Sequence, residues 1–225
     1  ISFGRLLNAA GLLALREFTG SDKVQICLIY TGRSEKWMED IIGTEDFKGE
    51  QAAITKLGEN NVFYLPYLMG ERSPHNNADA RAMFIGMSMD NTRADMTQAV
   101  YEGVSFALRD CLEAARSMGI KVTESCVCGG GSKSKIWLKI LSNILGIKLM
   151  QTENTEGPSF GAAILAAVAA GEYASVDEAC KKLIKITESV EPDAELTALY
   201  EERYQEYSKI YPALKSTFEF VANRR

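Results

Sequence analysis

From residue 122 to residue 170, short apolar runs and helical runs alternate. VTESCVC is followed by SKSKIWLKILSNIL, closed by Gly146, then by KLMQT, and then by PSFGAAILAAVAA, closed by Gly171. Runs of five to seven residues suit strands, and the longer runs with apolar residues three and four apart suit helices. The last helix carries Pro158 in its first turn and a glycine just past its end, the positions at which each residue type costs a helix least. Strand, helix, strand, helix in this order predicts an α/β domain with parallel strands and right-handed crossovers.

Upstream, the pattern predicts a helix over Leu6–Phe18, a strand over Val24–Tyr30, a short helix over Glu35–Ile42 and a polar helical segment within Asp46–Leu57. Strands are predicted at Val62–Tyr67, where Pro66 ends the regular ladder, and at Ala82–Met87. Gly70–Asp79 reads as loop. Between Arg93 and Met118, Met96, Val100, Val104, Ala107, Leu108, Leu112 and Ala115 recur at helical spacing, which predicts a long amphipathic helix ended by Gly119. Two more helices are predicted near Val176–Ile186 and Ala194–Ile210.

The junction at 125–137, SCVCGGGSKSKIW, is where this architecture places a ligand. At the carboxyl end of an interior strand the chain turns into a helix whose first N–H groups have no intrahelical partner, and these favour oxygen-rich groups. Gly129, Gly130 and Gly131 let a ligand approach the backbone with no Cβ between, and they tolerate positive φ. Ser132 reads as the helix N-cap, with Lys133 and Ser134 projecting near the ligand. The spacing is neither that of a P-loop nor that of a dinucleotide fingerprint. From the residues alone, a tight turn without a ligand stays open. A second pair, Gly157 and Gly161, lies on a helix whose small face (Gly161, Ala162, Ala166, Ala169) permits close approach of a neighbour.

Composition narrows the partners. The net charge is −5 and the basic residues are interleaved with acids, which argues against a nucleic-acid surface. The longest apolar stretch, Phe160–Ala170, is too short to cross a bilayer. The first residues, ISFGRLLNAAG, lack signal-peptide features and begin without methionine, so the chain reads as a fragment or a processed piece. Five cysteines (Cys27, Cys111, Cys126, Cys128, Cys180) without a CxxC pair indicate reduced thiols in a cytoplasm. Cys126 and Cys128 share a strand face and read as apolar packing rather than metal ligands, and no metal site is assigned. His75, the lone histidine, reads as structural or as part of a domain interface. Arg72 and Glu71 read as an ion pair with each other or with another domain, and Trp37 and Trp137 as core anchors.

Strand-GGGS-helix followed by GPSFGAA resembles the adenosine and second connecting motifs of the actin-like sugar-kinase superfamily. AMFIGMSMDNTRADMTQAVYE, residues 82–102, looks like the C-terminal signature of the FGGY carbohydrate kinases. Within that family, YLPYLMGERSPHNN at 64–77 is similar to the xylulose kinases. The resemblance runs from about Lys36 to Leu214, with residues 1–35 poorly matched, so that 36–225 reads as the C-terminal domain.

That resemblance implies an actin-like, ribonuclease-H-like fold forming half of a two-domain kinase for a pentulose. ATP, with Mg2+ carried on its phosphates, would lie between the halves and the sugar would bind the N-terminal half. Gly129, Gly130, Gly131 and Ser132 would line the adenosine and α-phosphate side, and Ser134 falls where a relative carries an adenine-contacting asparagine. The glycine- and threonine-bearing phosphate hairpin and the aspartate-bearing stretch of such kinases find no match in these 225 residues. No catalytic residue is therefore assigned, and this polypeptide alone is expected not to phosphorylate sugar. A face that packs on the other half is expected to drive self-association. The other reading is a non-catalytic nucleotide-binding or oligomerisation module. An acetate kinase, a hexokinase relative or a Rossmann dehydrogenase fits the motifs less well.

Overall fold

The computed structural model describes residues 26–27 and 46–222. The predicted helices at 6–18 and 35–42, most of the predicted strand at 24–30, and Trp37 lie outside these described residues. In chain order the elements are β1 (Ile26–Cys27), α1 (Phe47–Ala52), β2 (Phe63–Leu65), β3 (Met83–Ile85), α2 (Arg93–Ser117), β4 (Glu124–Cys128), a 3-10 turn (Gly130–Lys133), α3 (Lys135–Leu145), β5 (Lys148–Thr152), α4 (Gly157–Ala169), α5 (Val176–Leu183), β6 (Ile186–Val190) and α6 (Ala194–Ala222).

The main sheet has the order β1-β4-β5-β6, and a separate antiparallel pair is made by β2 and β3. β4 lies parallel to β1 and to β5, as the alternation predicts. β6 departs from it: it runs antiparallel to β5 and, apart from Ile186, occupies residues that the pattern leaves between two helices. The helix stops at Leu183 because Ile184 turns extended. From there Ile184, Ile186, Thr187 and Val190 supply the β-branched side chains that a strand accommodates better than a helix does.

The predicted long helix is α2, and it is more deeply buried than an amphipathic surface helix. Every residue from Thr97 to Phe106 is buried, because α2 packs against β2, α3 and α6 at once. Its polar positions are consequently matched inside the protein. Glu102 accepts from Gln98 Nε2 at 2.7 Å, from Tyr200 Oη at 3.0 Å and from Arg203 Nη2 at 2.8 Å. Burial drives the Glu102 carboxyl upward from its ordinary value, against the pull of Arg203 and its hydrogen-bond donors. The N-terminus of α2 carries a reciprocal capping box between Thr92 and Asp95. The helix ends before Gly119, whose φ of 79° is the left-handed geometry that glycine takes without strain.

α6 runs well beyond the predicted end at Ile210, with Pro212 inside it. Tyr200, Tyr204, Tyr207, Tyr211 and Phe218 fall three, four and seven residues apart and are all buried. Burying one such ring contributes about 1.5–3 kcal/mol, comparable to the roughly 3 kcal/mol that an interior proline costs, and five of them outweigh it. Trp137 is a core anchor as predicted: its Nε1 donates to Ser105 Oγ at 3.2 Å and its ring lies 4.8 Å from that of Tyr101.

Candidate nucleotide-binding turn

β4, buried at Val127 and Cys128, delivers the chain to the glycine run at the carboxyl end of two parallel strands. Gly129 has φ 93° and ψ 177°, a conformation closed to residues with a Cβ. Its N–H donates to Thr155 O at 3.0 Å, and its carbonyl accepts from Ser132 N at 3.2 Å and Ser132 Oγ at 2.7 Å. The side chain of Gln151 donates to Ser132 O. The loop after β4 and the loop after β5 are thus tied together at the mouth of the sheet. Gly130 is exposed, and a Cβ added there would meet nothing within 4 Å. Gly131 is buried.

The structure corrects the expected cap. Ser132 closes the 3-10 turn upon Gly129, while Ser134, in an extended conformation, caps α3 by accepting from Trp137 N at 3.2 Å. The 3-10 turn, which itself holds Gly130 and Gly131, therefore stands between Gly129 and the α-helix. Ser134 does not project freely either. It is 8% exposed and its hydroxyl donates to Gln51 Oε1 at 2.9 Å, while Lys133 is exposed. Nothing in the sequence pattern points to Gln51, which lies 83 residues upstream on α1.

Next to the turn, lined by Cys128 at the end of β4, opens a cleft of about 280 Å³. Phe160, Ile164, Val176 and Leu183 give it apolar walls, with Lys182 and Lys185 among its lining. These lysines lie near carboxylates, Lys182 Nζ 2.8 Å from Glu178 and Lys185 Nζ 3.6 Å from Glu153. The small face of α4 leaves Ala162, Ala166 and Ala169 exposed among the described residues, with Gly161 lining the cleft.

The GERSPH segment forms a loop organised around Glu71. Glu71 exchanges backbone hydrogen bonds with Asn77 at 2.8 and 2.7 Å, and its carboxylate accepts from the N–H groups of Ser73, His75 and Asn76. Burial raises the Glu71 carboxyl above its ordinary value, while these donors oppose the rise. The expected ion pair with Arg72 is not formed: Glu71 turns to its own loop, and Arg72 is exposed with no ion pair among the described residues. His75 has the structural role expected of it. It stacks on Tyr211 with centroids 3.7 Å apart, and its Nε2 lies 3.7 Å from Asp110 Oδ2.

Cys111 and Cys180 are free thiols, and burial pushes the Cys111 thiol up to about 12. Among the described residues no group of acidic, histidine or cysteine side chains could hold a metal ion, and no helix is long and apolar enough to cross a membrane.

Residues 18–170 match the model of the FGGY family of carbohydrate kinases, C-terminal domain. The xylulose kinase of Staphylococcus epidermidis is 39% identical over 164 residues, 73% of this chain and 33% of that protein. The xylulose kinase of Escherichia coli is 34% identical over 181 residues, 79% of this chain and 37% of that protein. Among solved structures, a xylulose kinase from Brucella ovis superposes with a TM-score of 0.74 at 34% identity, over 83% of this chain and 38% of that one. This chain therefore spans about a third of the length of the relatives it matches, and its fold is that of the actin-like sugar kinases. With the family model covering most of the chain and the glycine turn at the expected end of the sheet, the chain belongs to the FGGY family of carbohydrate kinases, within which it corresponds to the C-terminal domain.

Proposed function

We propose that this chain is the nucleotide-binding part of an ATP-dependent kinase that phosphorylates a pentulose, D-xylulose foremost, to its 5-phosphate. The observation that carries the reading is the open space over Gly130, flanked by the fixed turns of Gly129 and Gly131 at the carboxyl ends of β4 and β5. A backbone without a side chain at this position lets a nucleoside lie directly on the turn. The names of the relatives support the sugar.

Bound ATP supplies the phosphoryl group and brings Mg2+ on its phosphates. The chain's own contribution is to bind and orient. Gly129, Gly130 and Gly131 form the floor, Ser132 locks the turn through Gly129 O, and Ser134 fixes where α3 begins. Positioning of this kind carries much of phosphoryl-transfer catalysis. Proton transfer from the sugar hydroxyl falls to a carboxylate outside this chain, which by itself does not turn over sugar. The free thiols are in keeping with a reducing cytoplasm as the place of work.

Gly130→Ala tests the reading. Gly130 does not sit at positive φ and its Cβ position is empty, so the variant should keep the wild-type thermal midpoint while its affinity for Mg·ADP falls at least about tenfold, or roughly 1.4 kcal/mol. Unchanged affinity in calorimetric titration removes the nucleotide from this turn.

A further inference from the structure

The side-chain amide of Gln51 lies between two hydroxyls on different elements. Its Oε1 accepts from Ser134 Oγ at 2.9 Å, and its Nε2 donates to Tyr101 Oη at 3.1 Å. Gln51 belongs to α1, a six-residue helix that buries none of its residues. Its neighbours nevertheless tie α1 to α2. Glu50 Oε1 is 2.6 Å from Arg93 Nε, and Glu50 Oε2 accepts from Thr97 Oγ1 at 3.2 Å. Further along, Gln98 Nε2 donates to Lys56 O at 3.0 Å.

Ser134 has one proton to donate and two lone pairs. The proton goes to Gln51 and one lone pair takes Trp137 N–H. The hydroxyl is therefore held in one orientation by a residue remote in sequence. Ser134 also accepts Leu138 N–H through its carbonyl and donates its own N–H to Gly131 O, so its backbone couples the last glycine of the turn to α3.

We propose that Gln51 is a positioning residue for nucleotide binding: through Ser134 it sets the path of Gly131–Ser134, and through Tyr101 it refers that path to α2. The proposal rests on the reading of the glycine turn as the nucleotide site. Gln51 is remote from Gly130 in sequence, and its tie to the turn runs through Ser134, so its effect reaches the ligand through the turn.

The test uses the full 225-residue chain, titrated with Mg·ADP by calorimetry, with thermal midpoints recorded alongside. Gln51→Leu removes both hydrogen bonds at similar volume and should weaken ADP binding about fivefold to tenfold. Gln51→Glu keeps an acceptor for the Ser134 hydroxyl, the bond through which the turn is held, so it should restore affinity to within about twofold of wild type. Adding Gln51→Leu to Ser134→Ala should lower affinity no further than Ser134→Ala alone, because the route is already cut. If Gly130→Ala weakens ADP binding but Gln51→Leu does not, the positioning role is overturned and the nucleotide site stands. Equal losses for Gln51→Leu and Gln51→Glu, in step with their thermal midpoints, reduce Gln51 to a structural residue and also overturn the proposal. Wild-type protein that takes up no ADP overturns both readings together.

Discussion

Gly103 of α2 faces the carbonyl of Tyr64 on β2 so closely that a β-carbon at position 103 would fall inside 3.0 Å of Tyr64 O, a separation real side chains do not show. The contact sets how near the central helix lies to the β2–β3 pair. Because backbone stands on both sides, no rotamer change relieves a substitution.

Gly103→Ala is expected to destabilise the domain by about 1–3 kcal/mol or more, through overpacking that outweighs the better helix propensity of alanine. Urea denaturation of this variant beside Gly130→Ala, whose Cβ meets open space, separates a glycine required by packing from one required by a ligand.

Arg203 Nη2 lies 2.8 Å from Glu102 Oε2, with the glutamate side chain 1% exposed. Arg203→Met leaves that carboxylate buried without its cation and should cost about 3–5 kcal/mol at pH 7. A carboxyl raised by burial contributes stability that is fully present below its unfolded pKa and is lost as pH rises through its folded value. The deficit of the variant should therefore shrink as pH is lowered from 7 towards 5. A deficit that stays constant or grows on acidification contradicts this.

Glu113 shows the opposite sign. Burial alone would raise it, but hydrogen bonds from Arg116 at 2.7 Å and Arg109 at 2.5 Å hold it below the ordinary carboxylate value. Its contribution is present above the unfolded pKa and disappears as pH falls through the folded one. The Glu113 side chain is 37% exposed, so Glu113→Gln should cost no more than about 1 kcal/mol, less in high salt and nothing once the carboxyl is protonated. Denaturation midpoints across pH 3 to about 7 at two ionic strengths check this.

Glu71→Ala should open the GERSPH loop, because three backbone N–H groups lose their acceptor at once. About 1–3 kcal/mol of stability should be lost, together with exchange protection of the Ser73, His75 and Asn76 amides. Retained protection at those amides would show that the carboxylate does not organise the loop.

Local periodicity was enough to mark out β4, α3, β5 and α4 and the glycine turn between the first two. Periodicity, glycine and proline act over a few residues, so local chemistry decides them. The Thr97–Phe106 run shows where that reasoning ends: neighbours arriving from β2, α3 and α6 bury even its polar residues. The tertiary structure alone decided that β6 runs antiparallel, that α6 continues through Pro212, and that Gln51 reaches Ser134 across 83 residues. Each of these turns on a partner distant in the chain, whose hydrogen bond or buried ring outweighs the local preference.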